Sequence, residues 1–225
     1  MTARCGSNLR QESPKRLGIL GGTFDPIHLG HMKLAELAVA QAELDVLILV
    51  PCHLPPHRDG MHASPEDRFA MSRLAVSAYP GISVSDYELN KSSTSYTVET
   101  LAHFHNEFPA SELFFCLGGD SLAQIKNWHQ WQGILDLANL VALDREHGHA
   151  ELDDEIMSRM ISSTGQVVKP AGQILQLTAP RINVSASEIR RHLMNTGGGQ
   201  DVDDYLQRWL HPDVLKYIKE HQVYA

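Results

Sequence analysis

The stretch that most constrains this chain is Gly21-Gly22-Thr23-Phe24-Asp25-Pro26-Ile27-His28-Leu29-Gly30-His31. Before it lies Leu17-Gly18-Ile19-Leu20, an apolar run long enough for a buried strand. After it, Met32, Ala35, Ala38 and Val39 recur at helical intervals around Leu34 and Leu37, which predicts a helix from Met32 to Ala40. Strand, glycine-rich turn and helix in succession make an anion site. The paired glycines let a phosphate approach the backbone, and the helix turns its free N–H groups and positive dipole end toward it. His28 and His31, three residues apart at the helix entry, can lean over the same spot. The pattern is neither a Walker A loop nor the dinucleotide fingerprint Gly-x-Gly-x-x-Gly.

The rest of the chain repeats this alternation. Asp45 to Val50 is a continuous apolar run ending at Pro51, as expected of a strand covered on both faces in a parallel sheet. Ser64-Pro65-Glu66-Asp67 starts a helix with a serine cap, an early proline and acidic residues, running to about Ala78. Ile82 to Val84 is a short strand. A helix follows Ser95-Tyr96-Thr97, with Ser95 or Thr97 as its cap. Leu113 to Leu117 is a strand running into Gly118-Gly119-Asp120-Ser121, a second glycine turn that should face the same crevice as the first. Strands at 139–143, ending at Asp144-Arg145, and at 173–177 follow. Between them, 147–165 reads as surface helix and loops. Asn183 to Leu193 enters a helix that Gly197-Gly198-Gly199 ends, and residues 202–221 make one or two closing helices. The fold class is α/β, a doubly wound parallel sheet with a Rossmann-like crevice. One domain over 17–225 follows a flexible extension at 1–16.

Composition narrows the function classes. The net charge of −8 argues against a general nucleic-acid or anionic-membrane binder, so an anionic substrate must be held by local positive groups. The three cysteines, Cys5, Cys52 and Cys116, fit neither a disulfide framework nor a zinc site, as in a reducing compartment. Thirteen histidines are present, but without a second cluster at zinc-site spacing. No apolar run reaches membrane-spanning length and residues 1–16 lack a signal-peptide core, so a cytoplasmic protein is expected.

Residues 21–31 as a whole resemble the phosphate-binding signature of the nucleotidylyltransferase superfamily, His-x-Gly-His after a Gly-Gly-Thr-Phe-Asp-Pro turn. Asn183 to Arg190 resembles its second signature, Ile-Ser-x-x-x-Ile-Arg. Ser185, Ile189 and Arg190 match it, and Val184 stands in the first, apolar position. Arg190, read as lying in the first turn of its helix, could offer a planar fork of donors to phosphate. Pro55-Pro56-His57-Arg58, Ser95 to Leu101, and Gly118-Gly119-Asp120-Ser121 followed by Trp128 look like those of bacterial nicotinate-mononucleotide adenylyltransferases. That resemblance runs from about Leu17 to Tyr224.

The resemblance implies that ATP and nicotinate mononucleotide are joined to a dinucleotide with release of pyrophosphate. It implies catalytic roles for His28, His31 and Arg190, and ATP contacts from Gly21, Gly22, Thr23, Phe24, Gly30, Gly118, Asp120, Ser185 and Ile189. His57, Tyr96, Thr97, Trp128 and Arg145 would line the nicotinate half, with Trp128 as the plane on which a pyridine ring stacks. Mg2+ would come with ATP, held mostly by substrate oxygens and water rather than by a protein metal site. The partners would be these small molecules, with no nucleic acid and no membrane; a homo-oligomer is compatible with the sequence. His129 departs from relatives that carry tyrosine there. The alternatives are a nicotinamide-mononucleotide or pantetheine-phosphate adenylyltransferase, a cytidylyltransferase, or a non-catalytic nucleotide sensor.

Overall fold

The computed structural model describes residues 13–53, 61–91, 94–145, 152–163, 165, 167, 169–179, 182–194 and 200–224. Its strands are β1 (Arg16–Gly22), β2 (Val46–Pro51), β3 (Ile82–Val84), β4 (Glu112–Gly118), β5 (Asn139–Arg145), β6 (Met160–Ile161) and β7 (Ile174–Ala179). Its helices are α1 (Leu29–Gln41), α2 (Pro65–Val76), α3 (Thr97–Glu107), α4 (Gly119–Ala123), α5 (Trp131–Leu137), α6 (Asp154–Met157), α7 (Ala186–Met194), α8 (Gln200–Trp209) and α9 (Pro212–Glu220), with a 3-10 turn at Ile125–Asn127.

The strands form one seven-stranded sheet in the order β3-β2-β1-β4-β5-β7-β6, with every pairing parallel. The chain moves outward from β1 through β2 to β3, then returns to the other side of β1 as β4. β1 and β4 therefore flank the point where the winding reverses, and ligands of open α/β sheets bind beyond the carboxyl ends of strands at such a point. Residues opposite one another in that pair include Leu20 and Cys116, so the two glycine turns leave the sheet side by side.

Alternation along the strands feeds two cores. Leu17 and Ile19 of β1, Ile48 and Val50 of β2, and Leu113, Phe115 and Leu117 of β4 pack with Val98, Leu101 and Phe104 of α3 and Ile134 of α5. On the opposite face Leu20, Leu47, Leu49, Phe114 and Cys116 pack with Met32 and Ala35 of α1, Met71 of α2, Ile189 of α7, Leu206 of α8 and Val214 of α9. Each fully buried aliphatic side chain contributes about 1.5–3 kcal/mol, which explains why these strands read as unbroken apolar runs.

Several expectations need correction. Helix α1 begins at Leu29 rather than Met32, which makes His28 its N-cap and places His31 in its first turn. A seventh strand, the two-residue β6, lies within the stretch expected to hold only helix and loops, next to α6, four residues long. The N-cap of α3 is Tyr96, with no side-chain cap, because the Ser95 hydroxyl is engaged elsewhere. Ser64 does cap α2, accepting from the Asp67 N–H at 3.1 Å. Two helices, α8 and α9, close the chain. Pro55, Pro56, His57, Arg58 and Gly197 to Gly199 lie outside the described residues.

Candidate active site

The first glycine turn is shaped by packing and by buried charge. Phe24 adopts a left-handed backbone (φ 49°) and a cis peptide joins Asp25 to Pro26. The Phe24 ring lies close over Gly22, where an added Cβ would sit 2.8 Å from it, and meets His31 edge-on at 5.2 Å. The rings of His28 and His31 stack at 3.7 Å. The His28 backbone N–H donates to His31 Nδ1 at 3.2 Å. An Nδ1 that accepts leaves the ring proton on Nε2, so the neutral His31 presents a donor at its far edge.

Gly30 brings the two signature stretches together. A Cβ there would sit 2.8 Å from Val184 Cγ1 and 2.9 Å from His28 Nδ1, so only glycine lets the entry of α1 close against the segment before α7. Arg190 lies in the second turn of α7, because that helix starts at Ala186, not earlier as expected. Its length compensates: Nη1 donates to the Asp25 carbonyl at 2.6 Å and Nη2 to Ser187 Oγ at 3.2 Å. Ser185 is exposed beside it, whereas Ile189 is fully buried and anchors α7 in the core. Phe24 is likewise buried, so its ring shapes the turn from below.

At the second turn Gly118 has φ −76°, which any residue can adopt, and a Cβ there would meet nothing within 4 Å. Neither backbone conformation nor internal packing demands this glycine. It opens onto the space beyond β4, as does the exposed Asp120.

Among the residues expected on the nicotinate side, Tyr96 lies tilted against His129 at 4.2 Å, and Trp128 meets Phe115 edge-on at 6.0 Å while packing on the core that α3 helps to form. Thr97 is the first residue of α3. Arg145 ends β5, with its side chain outside the described residues, and His57 is outside them altogether. Cys116 is buried and its thiol is pushed up to about 12 by desolvation, which leaves it no nucleophilic character.

Three groups escaped the sequence reading. Arg68, fully buried in α2, donates to the carbonyls of Thr23 at 2.8 Å, Cys52 at 2.7 Å and His53 at 3.5 Å, tying the phosphate turn to the loop after β2. Asp25, also buried, accepts from the backbone N–H groups of His62 and Ala63 and from the Tyr224 hydroxyl. Glu88 is buried beside the start of α3, accepting from Thr100 Oγ1 at 2.5 Å and bonded to Ser95. Burial pushes its carboxyl above the usual range, against the hydrogen bonds that pull it down. Arg68 and Glu88 lie in no local motif, and Asp25, though part of the first signature, was given no role from it. Each is recognisable only once distant segments are in place.

A model of the cytidylyltransferase-like family matches residues 19–192. Proteins named as probable nicotinate-nucleotide adenylyltransferases are 38% identical in Cellvibrio japonicus, covering 92% of this chain and 98% of theirs, and 37% identical in Pseudomonas syringae pv. tomato, covering 94% of both. The chain belongs to the nicotinate-nucleotide adenylyltransferase family. The fold agrees: Plasmodium falciparum nicotinic acid mononucleotide adenylyltransferase complexed with NaAD superposes with a TM-score of 0.71 at 19% identity, over 93% of this chain and 97% of that one. The family turn therefore sits at the reversal of the sheet with its histidines stacked, its glycine against the second signature, and its aspartate bonded to the arginine of that signature.

Proposed function

We propose that this adenylyltransferase joins ATP and nicotinate mononucleotide into nicotinate adenine dinucleotide and pyrophosphate, a step of NAD biosynthesis. The observation that carries the reading is the convergence of both signatures at the crevice between β1 and β4, with Arg190 bonded to the backbone of the histidine turn.

The nucleophile is the mononucleotide phosphate, anionic at neutral pH, so the step needs neither a general base nor a protein nucleophile. The protein's task is to hold two repelling anions in line and to neutralise charge as it spreads over the α-phosphate. His31, with Nδ1 accepting, would donate from Nε2 to a phosphate oxygen, and His28 would lie beside it. Arg190 would hold the departing pyrophosphate. The turn from Gly21 to Thr23, together with Gly118, Asp120 and Ser185, would surround ATP. Among the described residues no group of three or more His, Cys, Asp or Glu side chains could hold a metal. Magnesium would come with the ATP phosphates, held mostly by their oxygens and water, where it would supply further charge neutralisation.

Trp128 would stack the pyridine ring, beside Tyr96 and His129. N–H groups in the first turn of α3, around Thr97, would receive the nicotinate carboxylate and favour the acid over the amide. The test is pyrophosphate release from magnesium ATP with nicotinate or nicotinamide mononucleotide. Faster release with nicotinate is expected. Equal rates, or a preference for the amide, overturn the substrate reading, and no release with either overturns adenylyl transfer to a pyridine mononucleotide.

A further inference from the structure

Asp25 is 4% exposed, and a carboxylate so buried is tolerated only when its oxygens are hydrogen-bonded. Oδ2 accepts from the His62 N–H at 2.9 Å. Oδ1 accepts from the Ala63 N–H at 3.1 Å and from the Tyr224 hydroxyl at 2.8 Å. Arg190 Nη1, bonded to the carbonyl of the same residue at 2.6 Å, stops 3.9 Å from Oδ2. The guanidinium is therefore held by the turn's backbone, short of a close ion pair with the buried carboxylate.

Tyr224 is itself unusual. It lies beyond α9, is 7% exposed, and carries a left-handed φ of 73° that a tyrosine rarely adopts. Burial, then the neighbouring Asp25 charge, pushes its phenol upward, so it remains a donor throughout the neutral range. A strained backbone that delivers one hydroxyl to one buried oxygen, while the ring fills the core, points to a specific duty for that hydroxyl.

We propose that Tyr224 is a positioning residue for Arg190. By satisfying Asp25 Oδ1 it keeps the carboxylate from drawing the guanidinium into a closed pair, and so leaves the arginine's remaining N–H groups for the ATP phosphates. Without the hydroxyl, Oδ1 keeps only the Ala63 N–H and the carboxylate is left with more uncompensated charge facing Arg190, already 3.9 Å from Oδ2; an arginine drawn into that pair is lost to the phosphates. The kinetic side of this inference rests on the adenylyltransfer reading; its binding side does not.

The test is a double-mutant cycle on the full chain with Tyr224→Phe and Arg190→Ala, reading magnesium ATP affinity by calorimetry and, separately, kcat/KM for ATP. Tyr224→Phe should weaken ATP binding about tenfold, the scale of one hydrogen bond to a charged group, with KM for the mononucleotide within about twofold of the parent. In the Arg190→Ala background the same change should cost nothing further. Asp25→Asn, which removes the attracting charge, should lessen the effect of Tyr224→Phe. Thermal midpoints identify any loss of fold, and binding is compared well below the lowest of them. Parental ATP affinity in Tyr224→Phe, or the same loss repeated in the Arg190→Ala background, overturns the proposal. If the unaltered protein binds ATP yet transfers no adenylyl group, the functional reading fails alone and the binding cycle still decides this one.

Discussion

The two halves of the crevice are built by different means. Around ATP's expected place the device is a short backbone turn, Gly21 to His31, set rigidly by buried charges beneath it: Arg68 on the carbonyl of Thr23 and Asp25 on the N–H groups of His62 and Ala63. On the nicotinate side the parts are rings from separate segments. Tyr96 leans on His129 and Trp128 on Phe115, over a buried Glu88 that holds Thr100 and Ser95. The halves are joined: Arg68 donates to the His53 carbonyl, and the His53 N–H donates to Ser95 Oγ at 3.3 Å. A phosphate needs fixed dipoles and donors, which one contiguous turn can present. A flat ring needs shaped walls on several sides, which one segment cannot supply.

The contrast is broken most severely at His31. Its replacement by alanine removes the donor proposed for the reacting phosphate, so turnover should fall about a hundredfold or more, with a much smaller change in mononucleotide KM. Pyrophosphate release under saturating substrates measures it, and unchanged turnover removes His31 from the mechanism. Trp128→Ala should act in the opposite sense. Loss of a stacking plane of about 1–3 kcal/mol should raise mononucleotide KM about tenfold and leave the KM for ATP within about twofold. An equal rise in both would show that the two halves do not divide the substrates. His129→Ala should reproduce that selectivity weakly, at about threefold, since it takes away only the partner against which Tyr96 rests.

The same contrast explains what could be read before any coordinates. The first glycine turn, the parallel apolar strands and the Ser64 cap have local causes: close approach where a Cβ would intrude, burial on both faces, an orphan N–H satisfied within three residues. All three were legible. The duties of Arg68, Asp25 and Glu88 were not, because a buried charge is identified by its partners, and theirs lie elsewhere in the chain, up to 199 residues away for Asp25 at Tyr224. The cap of α3 was misassigned for the same reason. Ser95 has the chemistry of a cap, but Glu88 and the His53 N–H recruit its hydroxyl. Two-residue β6 gave no periodicity to read; its pairing with β7 alone makes it a strand.

Glu88 sharpens the comparison least in magnitude and most in kind, because it separates support from contact. Its carboxyl is raised above the ordinary 4.5, chiefly by burial, with Thr100, Ser95 and Lys91 opposing and Glu99 adding to the rise. A carboxyl raised on folding binds its proton more tightly in the folded chain. Its contribution to stability is therefore fully present below about pH 4.5 and is lost as the pH climbs through the raised value. Glu88→Gln cannot ionise, yet its amide can still meet both hydroxyls. The stability of the variant relative to the parent should thus improve as the pH rises from about 4.5 through the raised value and level off above it, measured as the difference in denaturation midpoint at each pH. Mononucleotide KM should stay within about twofold, because Ser95 and Thr100 keep a partner. Glu88→Ala removes that partner: Ser95 keeps only the His53 N–H that it accepts from, and Thr100 only a 3.4 Å bond to the Tyr96 carbonyl, at about 1–3 kcal/mol for a buried donor left unpaired. Its KM should rise with no change for ATP. A flat pH difference in Glu88→Gln would mean that the buried carboxyl is not what sets the acid-side stability of this half.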